Sequence, residues 1–220
     1  MTTPNTSGRR RYGADQDSFV DWFMTHNRQV TWVVVGLIVI AGGLWFYDRS
    51  KTLKSQRAES AYFNARRSAA AGNLPLAISD LRNVAKRYEG TRAGTQAALS
   101  LAQALYDQKK FKEGIDELKK AEAKAPEDFA ASVHVLEADG YQGLNDFTSA
   151  ASQYKLAADA AKFPAEKAQY RASAARSYMA AGKLVEAKAI WEELAKDETG
   201  AEANEARVRL GEVSAQPMKI

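Results

Sequence analysis

The sequence predicts an all-α chain: a single N-terminal transmembrane helix followed by an α-solenoid of about four helix pairs plus a capping helix. Three observations predict it. Val30 to Tyr47, VTWVVVGLIVIAGGLWFY, is an apolar run of eighteen residues without a charge. Behind it, small residues recur at intervals of 36 to 37 residues, the spacing of an array whose helix pairs bury their apolar faces only by stacking. Composition agrees, since the chain is rich in alanine, holds only 5 prolines and has little β-branched content outside the apolar run.

Residues 1–17 are polar, include the run Arg9-Arg10-Arg11, and read as a disordered, solvated tail. Residues 18–29 begin with Ser18, an N-cap candidate, and carry Phe19, Val20, Phe23 and Met24 at helical spacing, so an amphipathic juxtamembrane helix is expected there. Residues 30–47 form the span: at about 1.5 Å per residue they reach roughly 27 Å, close to the hydrocarbon thickness of a bilayer. Trp32 lies near one end and Trp45, Phe46 and Tyr47 at the other, where aromatic rings favour the headgroup level. A cleaved leader would be shorter and end in small residues, so the run reads as an uncleaved anchor. Gly36 and Gly43 sit seven residues apart on one stripe of it and offer a packing face to another transmembrane helix.

Residues 48–57 hold no Pro or Gly and are expected to continue as a helical stalk, either stiff or frayed near Ser50 to Ser55. The repeats occupy 58–213. AAGNLPLAISDLRNVA, DQKKFKEGIDELKKAEAKAP, GLNDFTSAASQYKLAADAA and AAGKLVEAKAIWEELA align on Ala77, Gly114, Ala150 and Ala187. Four residues after each comes a bulky one, Leu81, Leu118, Tyr154 and Trp191, and then Val84, Ala121, Ala157 and Leu194. Ala201 to Val213 reads as a capping helix and residues 214–220 as a short tail. Gly72, Gly90, Gly94, Gly182 and Gly200 fall at expected helix ends, where left-handed caps call for glycine.

This pattern resembles the tetratricopeptide repeat. The small residue of the first helix matches at Ala102, Ala138 and Ala175, and the large one three residues later at Leu105, Tyr141 and Tyr178. Pro126 alone matches the closing proline, Asn64 stands where the first repeat would have Leu, and the repeats run two or three residues longer than the usual 34. By that resemblance the first helix of each pair lines a concave groove, which maps a partner-binding stripe onto Tyr62, Arg66, Gln103, Tyr106, Asp139, Gln142, Arg176 and Met179.

Several function classes drop out. The net charge of +4 is spread as four Arg against three Asp up to Arg28, and 27 Lys and Arg against 24 acids from Asp48 onward, so no patch seeks nucleic acid. With no cysteine, disulfides, thiolate chemistry and Cys-ligated metals are absent, and two histidines, His26 and His134, cannot build a His-paired metal site or a triad. His134 reads as a satisfied structural residue. No catalytic residue, cofactor, metal or small-molecule substrate is expected, and the chain reads as a non-enzymatic recognition protein.

Architecture and local matches, the WFYDRSKTLKSQRAESAYFNA junction and the ALSLAQALYDQKKFKEGIDEL helix pair among them, resemble the YfgM-like family of ancillary subunits of the bacterial SecYEG translocon. That resemblance implies a protein of the inner membrane, N-terminus cytoplasmic and repeats periplasmic, whose partners are Sec translocon subunits and a periplasmic chaperone such as PpiD. A second reading is a structural or assembly subunit of another bacterial membrane or cell-envelope complex, docking through the same repeats. Charge counting points the other way on topology: Arg49, Lys51, Lys54, Arg57, Arg66 and Arg67 after the span outnumber the four Arg before it.

Overall fold

The computed structural model describes residues 27–197 and 200–215, all of them in helices and short connections. The expected tail 1–17, most of the expected juxtamembrane helix 18–29 and residues 216–220 lie outside the described part. Nine α-helices follow one another among the described residues: α1 Asn27–Ala70, α2 Leu74–Arg87, α3 Arg92–Asp107, α4 Phe111–Glu122, α5 Ala130–Gly143, α6 Phe147–Ala160, α7 Pro164–Ala180, α8 Leu184–Leu194 and α9 Ala201–Ala215. A 3-10 turn, Glu127–Phe129, leads into α5.

The chain divides into two compact units, residues 1–52 and 53–220. In the first, the apolar side chains from Trp32 to Tyr47 are exposed, Trp32 and Trp45 by more than two thirds, and the helix is long and apolar enough to cross a membrane. A soluble core helix of that length would bury most of them. Just past the apolar run the Lys51 ammonium lies 4.5 Å from the centre of the Tyr47 ring, and Thr52 Oγ1 donates to the carbonyl of Asp48. Helix α1 runs without a break to Ala70, so residues 48–57 are helical and the fray considered near Ser50 to Ser55 is not present.

The second unit begins at Leu53, earlier than the expected boundary at 58, because Lys54 already donates to the carbonyl of Glu89 and Ala58 is buried. Small residues at fixed register let its helices approach closely. Ala65, Ala102, Ala138 and Ala175 on the first helix of each pair are almost wholly buried, as are Ala77, Gly114, Ala150 and Ala187 on the second. The bulky residues Leu81, Leu118, Tyr154 and Trp191 then fill the space between one pair and the next. Leu101 and Leu105 pack with Leu81 and Val84 at the first junction, and Leu118 with Tyr106 and Val133 at the second. Helix α9 covers the far end through buried Ala203, Ala206 and Val213, and extends two residues past the expected Val213.

The turn inside each pair is built the same way four times. Gly72, Lys109, Asn145 and Gly182 all have positive φ, from 59° to 78°. The next residue, Asn73, Lys110, Asp146 or Lys183, returns its N–H to the carbonyl of Ser68, Leu105, Tyr141 or Tyr178 at 2.9 to 3.1 Å, the bond that ends a helix in a left-handed cap. Two of the four caps are therefore not glycine. Gly72, Gly90 and Gly182 have the expected left-handed conformation, whereas Gly94 and Gly200 do not. Gly94 lies inside the first turn of α3, where an added Cβ would overlap the Tyr88 carbonyl, and Gly200 precedes α9 with its N–H bonded to Asp197 Oδ1 at 3.1 Å.

Candidate interaction face

The residues after the buried alanines of the first helices are Arg66, Gln103, Asp139 and Arg176, at steps of 37, 36 and 37. All four are exposed. They hold equivalent positions on successive first helices, so α1, α3, α5 and α7 present them as one row. Its charges are met within the chain. Arg66 sits over the Tyr62 ring, Gln103 donates to Asp107 Oδ1 at 3.4 Å, and Asp139 Oδ1 accepts from the Tyr154 hydroxyl at 2.6 Å. Arg176 reaches the cap helix, pairing with Glu205 through Nε at 3.1 Å and Nη2 at 3.4 Å. Positive, neutral, negative and positive side chains thus alternate before Glu205 closes the row, which suits a partner of mixed polarity rather than a uniformly charged one.

Two of the other stripe residues serve the seams between first helices. The Tyr62 hydroxyl shares a hydrogen bond of 3.0 Å with Ser100 Oγ, and Gln142 Nε2 donates to Ser177 Oγ at 3.1 Å. Met179 is half-buried, its sulfur 3.3 Å from Trp191 Nε1, which donates to it. Tyr106 does not line the face. Its side chain is buried, its ring packs 5.6 Å from Phe111, and its hydroxyl donates to the Leu136 carbonyl at 3.0 Å, tying α3 to α5. Burial first, and then the nearby Glu137 and Asp139 carboxyls, push its phenol well above the ordinary range. The ring fits because Gly114 and Gly140 face it: a Cβ at either would overlap Tyr106. Gly140→Ala, which in an open helix gains about 1 kcal/mol, is therefore expected to lose about 1–3 kcal/mol here. Urea unfolding measures this, and Tyr106→Phe in the same chain should restore part of it.

Asp146, outside the stripe, caps α6: its carboxylate accepts from the Ser149 hydroxyl at 2.7 Å and from the Ser149 N–H at 3.1 Å, which holds its pKa below the ordinary carboxylate range. His134 is a packed side chain with Nδ1 2.9 Å from Gln153 Oε1. Within the apolar run, a Cβ added at Gly36 or Gly43 meets nothing within 4 Å, so each leaves an open notch on α1.

The residue that sequence reasoning missed is Glu137. It is fully buried on α5, and neither carboxylate oxygen has a hydrogen-bond partner. Burial first, and then the Glu122 carboxylate, push its pKa up to about 7, with Lys119 opposing them. A signal was present: Asn64, Leu101, Glu137 and Ala174 each precede one of the buried alanines, at steps of 37, 36 and 37. Leu101 and Ala174 are buried at that position, and the first repeat, with no earlier pair to pack on, leaves Asn64 exposed.

No curated protein matches this chain in sequence. Among solved structures, the nearly identical TPR-like repeats of a Podosopora anserina protein named as a putative kinesin light chain superpose with a TM-score of 0.54 at 17% identity, covering 72% of this chain and 86% of that one. The MamA protein superposes with a TM-score of 0.50 at 14% identity, covering 72% and 87%. At such identities the likeness concerns the fold. The tetratricopeptide repeat-like domain profile matches residues 21–137 and 63–168, more than half of the chain, and with the four helix pairs in register, this chain belongs to the tetratricopeptide repeat-like domain family.

Proposed function

We propose that this chain is a non-enzymatic, membrane-anchored scaffold, an accessory subunit of the Sec translocon that links it to periplasmic chaperones through the repeats. The observation that carries the reading is one chain holding both a membrane-length, exposed apolar helix and a row of exposed polar side chains, Arg66, Gln103, Asp139 and Arg176, on stacked first helices. The anchor keeps the array at the membrane, and the row supplies donors and acceptors to a partner. The finer assignment rests on the likeness of the junction and the second helix pair to the YfgM-like family. In this reading the N-terminus is cytoplasmic, the repeats are periplasmic, and Gly36 and Gly43 receive another helix in the bilayer. An assembly subunit of a different envelope complex would use the same surfaces.

Capture of the tagged full chain from bacterial inner membranes in mild detergent, followed by mass spectrometry, distinguishes the two. Translocon subunits and periplasmic chaperones are expected, and their absence alongside a different recovered complex would support the assembly subunit instead. Arg66→Ala, Gln103→Ala and Arg176→Ala combined are expected to weaken the repeat-bound partner by roughly tenfold or more with the fold intact, because these side chains bury little. Unchanged affinity would remove the row from the site. Protease added to spheroplasts should cleave the repeats, and protection would reverse the topology.

A further inference from the structure

Helix α4 of the second pair and helix α5 of the third pack against each other at the junction of those pairs. Glu137 lies on α5, fully buried, with both carboxylate oxygens unpartnered and within electrostatic reach of Lys119 and Glu122 on α4; Leu101 and Ala174 stand at the equivalent places in the neighbouring repeats. A neutral carboxylic acid there costs one imperfectly bonded polar group, whereas a carboxylate is an uncompensated buried charge.

Lys119 is the one cation whose field favours the Glu137 carboxylate, and no side chain gives that carboxylate a hydrogen bond or a contact ion pair among the described residues. From α4, Lys119 commits its ammonium to the Tyr141 hydroxyl at 2.9 Å, and Glu122 adds a like charge. From α3, the Tyr106 hydroxyl is given to the Leu136 carbonyl. From α6, the Tyr154 hydroxyl is given to Asp139, the next acid along α5. On α5 itself, His134 is turned toward Gln153, and its Nε2 lies 3.8 Å from Glu122 rather than against Glu137.

We propose that Glu137 makes the junction between the second and third helix pairs a pH-responsive joint: closed while the buried acid keeps its proton, and loosened when the acid ionises. Loosening uncouples Arg66 and Gln103 on one side of the junction from Asp139 and Arg176 on the other, so the spacing of the exposed row is set by the proton on one side chain. The inference is independent of which partner the row binds.

Amide hydrogen exchange of the full chain in detergent micelles, followed by mass spectrometry at pH 5.5 and 8.0 and expressed as protection factors, tests it. In the native chain, peptides from α4 and α5 should lose protection on the order of tenfold or more at the higher pH, while those from α7 and α8 hold theirs. Glu137→Gln, which keeps the shape and removes the charge, should abolish the difference. Glu137→Leu, which places at this position the side chain that Leu101 supplies in the preceding repeat, should do the same with higher protection. A pH response that persists in Glu137→Gln, or one that vanishes instead in His134→Gln, would overturn the proposal, as would equal protection at both pH values in the native chain.

Discussion

Trp191→Ala is expected to destabilise the C-terminal half of the array by about 4 kcal/mol, the upper part of the range for emptying a buried aromatic site. Trp191 is fully buried among Ala151, Ala172, Ala175, Ala187 and Ala206, with Tyr178 and Leu194 completing the cluster. Alanines have no rotamers with which to refill the space, so the cavity would persist rather than collapse. The Met179 sulfur would also lose its contact with the indole N–H. Because each repeat touches only its neighbours, the loss should be local: exchange protection should fall in α7, α8 and α9 and change little in α2 and α3. Trp191→Phe should fall between the two. A uniform loss along the whole array would show that the repeats unfold as one unit.

The second large effect is the pH dependence of stability at Glu137. Its folded pKa of about 7 lies above the ordinary 4.5, so the folded chain holds the proton more tightly than the unfolded one. Stability from this group is therefore fully present below pH 4.5 and declines as pH rises through 7. That difference in proton affinity corresponds to a loss on the order of 3 kcal/mol by pH 8. Urea unfolding of the native chain and of Glu137→Gln, measured side by side from pH 4 to pH 8, isolates the contribution, because every other titrating group is common to both. The gap between the two chains should widen toward alkaline pH with the variant the more stable. A constant gap would show that Glu137 keeps its charge state across the range.

Much of the architecture was legible because it follows from local chemistry repeated in sequence. An uncharged run of membrane length and small residues at a period of 36 to 37 mark the long apolar helix and the array without any knowledge of three-dimensional contacts. Arg66, Gln103, Asp139 and Arg176 came from the resemblance to the repeat family rather than from spacing alone, and the structure shows them exposed. Tyr106 failed for a steric reason. The resemblance placed it on the groove, but Gly114 on α4 and Gly140 on α5 leave a slot that takes the ring inward, and the slot exists only once three helices meet. Lys109 and Asn145 hold left-handed caps that glycine would have announced, because the repeat geometry imposes that turn whatever residue occupies it.

By itself the sequence determined the membrane-length apolar run, the helix-pair period and the close-contact alanines, each fixed by hydrophobicity or size at a set spacing. Only the tertiary structure decided what those spacings meet: that Tyr106 is a wedge, that α1 passes unbroken through the stalk, and that Glu137 on α5 is fully buried without a hydrogen-bond partner. The reason is that burial belongs to the neighbours as much as to the residue. A glutamate is written like a surface residue, and its cost appears only when the fold takes it out of water.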